Sequence, residues 1–291
     1  MKATATAMLM MSTPIMTGWV AKYSPMRRNA SGCPRTATPT PTATDERQVT
    51  VPAPAPVGDG IDAPPRGWRF AGNAAHHFDE HAARSIPAYS LGHELIATLS
   101  DFFVRPGGRV YDIGCSTGAL TALLAERHPS ATIIGLDAEP DMTAIARLRL
   151  ARAPGVEILD ADATEHDYLP ADLVVAYYTL QFVPVERRRA LLARIAAALR
   201  PGGALIMFDK TLAATGRVQD ALTQAYADYK LGRGYSPAEA AAKTVSLRGV
   251  LTPLTATENR AMLRRAGFGT VELVHRHLLF DGYLAIKEAA P

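Results

Sequence analysis

Cysteine is scarce: the 291 residues carry two, Cys33 in a polar, proline-rich stretch and Cys115 in a glycine loop. That placement argues against a disulfide framework, and a reducing cytoplasm is the expected compartment. Strong charge of either sign is also missing, the formal net charge being +3. So small an excess of Lys and Arg is no polyanion-binding signature, and nucleic acid is not an expected partner. No membrane span is expected: the Met-rich start "MKATATAMLMMSTPIMTGWVAKYSP" is broken by Thr, Ser and Pro, too short to cross a bilayer and a poor secretion signal. Large apolar side chains are nearly absent from "PRTATPTPTATDERQVTVPAPAPVGDGIDAPP". Such a segment buries too little surface to offset the entropy of ordering. Residues 1–65 are therefore expected to be a disordered Pro/Thr/Ala-rich extension, and residues 66–291 one catalytic domain.

From Trp68 onward helical and strand patterns alternate. "SLGHELIATLSDFF" spaces Leu91, Leu95, Ile96 and Leu99 as a helix does, and "RVYDIG" reads as a strand entering a glycine-rich loop. "ALTALLAERH" is a helix, "ATIIGLD" a strand, "PDMTAIARLRLARA" a helix, and "VEILDAD" and "ADLVVAYYTL" are strands. "PVERRRALLARIAAALR" is a helix closed by Pro201, Gly202 and Gly203, before a fifth strand, "ALIMFDK". This order predicts an α/β domain whose mostly parallel sheet is covered by helices on both faces. "TENRAMLRRAGF" follows as a helix, and "TVELVHRHLLFDGYLAIKEA" as two strands meeting near Asp281 and Gly282.

The candidate chemistry lies at the strand ends. "VYDIGCSTGAL" sets Asp112, Gly114, Cys115, Ser116, Thr117 and Gly118 between a strand and a helix, where glycines let the backbone pass close under a ligand. An ordinary strand-to-helix turn or a dinucleotide site would use such a loop too, although Gly114-x-x-x-Gly118 does not match G-x-G-x-x-G. Asp137 ends the next strand, about twenty residues on, where a carboxylate can bond ribose hydroxyls. Asp162 ends a third strand at the same rim.

Together these segments resemble the class I S-adenosylmethionine-dependent methyltransferases. "YDIGCSTG" is similar to their first motif, "GLDAEPDM" to the ribose-binding second, "DADA" to the adenine-flanking third and "LRPGGALIM" to the fifth-strand entry. The resemblance implies a Rossmann-like fold with a mostly parallel seven-stranded sheet, a C-terminal antiparallel hairpin and helical lid insertions. It also implies S-adenosylmethionine, as methyl donor or as substrate, held beside Asp112, Gly114, Cys115, Ser116 and Gly118. A closer resemblance, from Trp68 to Lys287, is to the carboxy-S-adenosylmethionine synthase family. It rests on "WRF", "RSIPAYS", "VYDIGCSTGA", "TLQF", "LRPGGAL", "GYS" and "RAGF". By this likeness Tyr89 helps close the ligand pocket, and Gly114, Ser116, Asp137, Ala138, Asp162 and Ala163 line the cofactor site. The cofactor itself is altered in that family, and "HHFDEHAARSIPAYS" and the insertion "GRVQDALTQAYADYKLGRGYSPAEAAAKTVSLRGV" serve as lids and as contacts in a homodimer.

Two departures matter. Before "TLQF" the family has Asn and Phe, where this chain has Tyr177 and Tyr178. After the lysine matching Lys243 the family carries an arginine that reaches the added carboxylate, and here Thr244 stands in its place. A carboxylate in a partly dry pocket needs a cation or several donors, so the change argues against carboxy-S-adenosylmethionine as product. Arg248, one helical turn on, is the substitute candidate. Tyr177 and Tyr178 are the candidate catalytic residues, Tyr177 also binding the cofactor, because they stand where the sulfonium is expected. Strand alternation turns one ring toward neighbouring helices, and a ring facing the cation contributes about 0.5 to 2 kcal/mol.

These departures lead to the expected reaction, intramolecular cyclisation. The cofactor's α-amine attacks its own γ-carbon, expelling methylthioadenosine and leaving azetidine-2-carboxylate, as in known azetidine-2-carboxylate synthases, which this chain resembles in being methyltransferase-like. Methyl transfer to a small, secondary metabolite is one alternative, though the insertion shows no His or Cys base; carboxy-S-adenosylmethionine synthesis is another. A cofactor-binding module for RNA or protein would rest on "RLRLAR" and "ERRRALLARIAAALR", which fit the solvated faces of amphipathic helices better. "HHFDEH" lacks the order H-E-x-x-H and a third ligand, so no metal is expected, and Cys115 has no base to make it a nucleophile.

Overall fold

The computed structural model describes residues 55–288; the expectations for residues 1–54 lie outside the described residues. The described chain opens on a short hairpin, β1 (Ala55–Pro56) paired with β2 (Asp62–Ala63), inside the stretch whose composition argues for disorder. The difference has a tertiary cause. Val57, Ile61 and Ala63 are buried with Trp68 and Ala74 against Ala242, Leu247 and Val250 from much later in the chain, so a few apolar side chains suffice.

Three helices lead to the sheet: α1 (Asn73–His76), α2 (Phe78–Ser85) and α3 (Tyr89–Ser100). The β-α alternation then runs as the sequence reads. β3 (Arg109–Ile113) is followed by α4 (Ala119–Arg127), β4 (Thr132–Asp137), α5 (Pro140–Arg149), β5 (Val156–Asp160) and β6 (Ala171–Tyr177). After a 3₁₀ turn at Leu180–Phe182 come α6 (Val185–Ala198) and β7 (Leu199–Leu212). The insertion forms α7 (Gly216–Gly232) and α8 (Pro237–Ser246), the latter started by a Ser236/Glu239 capping box with Pro237 at its first position. β8 (Leu254–Thr255), α9 (Ala256–Arg265), β9 (Thr270–His277) and β10 (Phe280–Ile286) complete the chain.

The strand order is β5-β4-β3-β6-β7-β10-β9, with β8 pairing beside the end of β7. β3 to β7 run parallel and β10 antiparallel to both β7 and β9, as the reading of a parallel sheet with a terminal hairpin requires. Ile96, Leu120 and Leu124 cover one face, and Leu191, Leu192, Ile195, Met262 and Leu263 the other. The chain leaves β3 toward β4 on one side and returns as β6 on the other. A crevice therefore opens at the carboxyl ends of β3 and β6, the place where open α/β sheets bind ligands.

One turn is misplaced by the sequence reading. Asp281 and Gly282 lie inside β10, and the hairpin turns at Leu278, whose φ is 52°. The Asp-Gly pair is spent on packing: Asp281 is buried and paired with Arg276 at 2.7 Å, and a Cβ at Gly282 would strike the Phe208 ring. No described helix is long and apolar enough to cross a membrane.

Candidate active site

Past β3 the chain turns at Gly114, with φ of 70°, where a Cβ would collide with the Thr179 side chain. The loop then ties itself to the next strand. Ser116 N–H donates to Asp137 Oδ2 at 2.8 Å, and Glu139 N–H to Oδ1 at 2.9 Å. Burial nonetheless pushes the Asp137 carboxyl above its usual range. Beyond β5, Asp162 accepts the Thr164 N–H and hydroxyl at 2.8 and 2.7 Å and pairs with Arg187 at 3.1 Å. Two acidic side chains are thus fixed at successive strand ends.

Gly114, Ser116, Asp137, Ala138, Asp162, Ala163, Tyr89, Tyr177 and Tyr178 all line one cavity of about 510 Å³. Asp112, Cys115 and Gly118, grouped with them by sequence, do not. Asp112 accepts the Thr121 hydroxyl at 2.6 Å, and burial pushes its carboxyl up to about 6. With Cys115 it borders a separate small cavity under the loop. The Cys115 sulfur packs on Gly135 and burial pushes its thiol up, which suits an inert residue. Gly118 caps α4 in the left-handed conformation and packs on Ala146 and Leu150. These three shape the loop from beneath.

The tyrosines depart from strand alternation. β6 ends at Tyr177, and Tyr178 takes φ of 58°, its N–H held by the Phe208 carbonyl at 2.8 Å. A non-glycine residue held in that region stores backbone strain, a cost that here sets both rings on one side of the sheet, 4.6 Å apart. Tyr177 donates its hydroxyl to the Tyr89 carbonyl at 2.5 Å, whereas the buried Tyr178 hydroxyl has no partner among the described residues. Burial pushes both phenols up, so they remain protonated rings and hydrogen-bond donors, not proton acceptors.

Opposite them the cavity holds groups that sequence reasoning missed. Lys210, Lys230 and Lys243 line it, and among the described residues none of them forms an ion pair. Lys230 is the single buried residue of the seventeen-residue α7. Lys243, from α8, lies against the Trp68 ring, and burial together with Lys230 depresses its ammonium well below the usual lysine range. Thr244 turns its hydroxyl back to the Ala240 carbonyl at 2.9 Å; Arg248 is exposed and outside the cavity wall.

His81 is a further wall residue. Its Nδ1 faces Asp59 Oδ2 at 2.7 Å, its ring stacks on Trp68, and its buried Nε2 has no partner among the described residues. Burial and Lys243 push it down to about 4, so it is neutral. The fully buried Asp59 carboxylate also holds Arg84 and the Tyr235 hydroxyl, joining the first hairpin, α2 and the segment between α7 and α8. The signal for these groups was faint. They come from five separate segments with no fixed spacing; the sequence drew notice to Lys243 only for the residue after it, to His81 only within "HHFDEH", and to Trp68 and Tyr235 only within matched segments.

A family model described as a methyltransferase domain matches residues 110–203. The chain is 36% identical over 217 residues to a carboxy-S-adenosyl-L-methionine synthase of Chromohalobacter salexigens, covering 73% of this chain and 80% of that protein. It is 37% identical over 223 residues to the synthase of that name from Nitratiruptor sp., covering 76% and 93%. Human N-acetylserotonin methyltransferase, solved with SAM, superposes with a TM-score of 0.53 at 22% identity, over 74% of this chain and 56% of that one. An O-methyltransferase family protein from Burkholderia thailandensis gives 0.54 at 20% identity, over 75% and 60%. The chain spans little more than half the length of these two structures, and at such identities the likeness shows the fold alone, that of the class I methyltransferases.

Proposed function

The chain belongs to the carboxy-S-adenosyl-L-methionine synthase family, enzymes of the class I methyltransferase fold that use S-adenosylmethionine, and from that premise we propose that S-adenosylmethionine is itself the molecule it alters. The observation that carries this reading is the unbroken cavity. The groove bounded by Asp137 and Asp162 continues past Tyr177 and Tyr178 into a chamber with three lysines that lack acidic partners. Amines with no acidic partner among the described residues favour an anionic occupant, since a bound carboxylate would offset the desolvation of their charged form and its own.

The name of the relatives points to the first reaction to test on this chain, addition of a carboxyl group to S-adenosylmethionine, and the S-methyl carbon beside the sulfonium is the site proposed for it. One C–H bond of that methyl breaks, its electron pair resting on a carbon beside the sulfonium, and a C–C bond forms to a carboxyl carbon. The carboxyl unit is CO2, free or released from a carboxylate donor whose broken C–C bond leaves its electron pair on the donor carbon, which then takes up a proton. Lys230 and Lys243 are the groups offered to hold the carboxylates of donor and product. They bear on the objection raised by Thr244, because amines that can carry a proton line the cavity beside that position.

A second reading, cyclisation to azetidine-2-carboxylate with release of methylthioadenosine, draws on the aromatic wall. Tyr89 and Tyr177 lie 5.1 Å apart, Tyr177 and Tyr178 4.6 Å, and such rings favour a compact cationic conformer of the methionine tail. Mass spectrometry of the products separates the readings. Incubation with S-adenosylmethionine and a mixture of carboxylates yields a carboxylated sulfonium under the first. Methylthioadenosine forms without any added compound under the second. S-Adenosylhomocysteine appearing only with an added acceptor would refute both in favour of ordinary methyl transfer.

A further inference from the structure

We propose that Lys210, as a neutral amine, is the catalytic residue that takes the proton lost by bound S-adenosylmethionine. The assignment rests on the reading that the cofactor itself is altered, because either alteration removes a proton from it: from the S-methyl carbon in carboxylation, or from the α-ammonium nitrogen in cyclisation. In the first case the C–H pair goes on to form the C–C bond. In the second the freed nitrogen pair forms the N–C bond as the carbon–sulfur bond breaks. Lys210 becomes an ammonium in both and returns its proton to water after product leaves.

The position of Lys210 makes the case. It lies on β7 two residues beyond Phe208, so its side chain shares a sheet face with that ring, and it reaches the cavity wall. Gln181 of the "TLQF" segment fixes it beside the strand exit: Gln181 Oε1 accepts the Lys210 N–H at 2.8 Å, while Gln181 Nε2 donates to the Tyr178 carbonyl at 3.0 Å. Lys210 Nζ is 4.7 Å from the Tyr226 ring centroid and 5.8 Å from that of Phe280, rings that would stabilise the ammonium once the proton has arrived.

The charged neighbours all favour the neutral amine before reaction. From α7, Lys230 lies 4.9 Å from the same Tyr226 ring. The acids flanking Lys210 in the sheet face the other way: Asp209 accepts the Gln181 N–H at 3.1 Å, and Asp281 pairs with Arg276 at 2.7 Å. Tyr178 and Tyr226 are phenols that burial keeps protonated. Burial and Lys230 push Lys210, which has no ion-pair partner among the described residues, down to about 8, close to the range where a general base works best. His81, at about 4, is a far weaker base, and Lys243 lies against the Trp68 ring, without the Gln181 link that ties Lys210 to Tyr178.

A carboxylate anchor and a base require opposite protonation states, so pH and charge separate them. Turnover at saturating S-adenosylmethionine is expected to rise with pH through a midpoint near 8. Lys210→Arg holds a permanent cation and cannot act as the base; it is expected to lower turnover about 100- to 10,000-fold while S-adenosylmethionine binding is still detected by calorimetry. Lys210→Ala is expected to regain part of its rate when a small primary amine is added, which a purely structural lysine would not allow. A rate that falls above pH 8, or a Lys210→Arg enzyme of near wild-type turnover, would overturn the assignment while leaving the altered-cofactor reading intact. Wild-type enzyme that makes only S-adenosylhomocysteine would overturn that reading, and the assignment with it.

Discussion

The two ends of the cavity are built on different terms. In the groove at the carboxyl ends of β3, β4 and β5 the polar groups are satisfied by the protein itself: loop amides hold Asp137, and Thr164 and Arg187 hold Asp162. In the chamber under α7 and α8, Lys210, Lys230 and Lys243 lack acidic partners, and Tyr178 and His81 each keep a buried polar atom unbonded among the described residues. A pre-satisfied groove recognises a ligand without rearranging. An unsatisfied chamber is less stable empty than filled, so its unpartnered polar groups mark what should fill it.

The largest effect is expected at Asp59, whose carboxylate holds His81 of the chamber wall together with Arg84 and Tyr235. Asp59→Asn removes the charge that Arg84, His81 and Tyr235 share and is expected to cost about 3 kcal/mol of stability, with a raised KM as the roof loosens. Denaturant unfolding and steady-state kinetics check both. In the groove, Asp137→Ala is expected to weaken S-adenosylmethionine binding about 10- to 100-fold in calorimetry, the loss of charged hydrogen bonds, with little change in unfolding.

In the chamber the sign reverses. Lys210 is lowered from 10.5 to about 8, so between those values the unfolded chain binds the proton that the folded chain has released. Stability therefore rises as pH climbs from 8 to 10.5 and is lowest below 8. Lys210→Met is expected to flatten this dependence and add about 2 kcal/mol at neutral pH, discounted for cavity water, measured by urea unfolding across that range. The smallest contrast is between adjacent rings. Tyr177→Phe gives up the bond to the Tyr89 carbonyl and is expected to cost about 1 kcal/mol, whereas Tyr178→Phe, whose hydroxyl is unbonded, stays near zero in the empty protein.

The groove was legible because its residues are close in sequence and their order is imposed by the fold: a glycine loop after β3 and acids after β4 and β5 must share one rim. The chamber was not. Asp59, His81, Lys210, Lys230 and Lys243 meet only through tertiary packing, and Val57 and Ile61, which seat the first hairpin, are hidden in a Pro/Ala-rich stretch. Local rules misled where packing overrode them. Asp281-Gly282 reads as a turn but lies in a strand against Phe208. The tyrosine pair reads as alternating but is turned to one side by the left-handed backbone at Tyr178.

The most direct test follows the methyl carbon. S-Adenosylmethionine labelled with ¹³C at the S-methyl group is incubated with the enzyme and a small-molecule metabolite extract, and the label is traced by NMR and mass spectrometry. The labelled carbon is expected to stay bonded to sulfur, in a carboxylated sulfonium or in methylthioadenosine. Label moved to another molecule, with S-adenosylhomocysteine left behind, would contradict it.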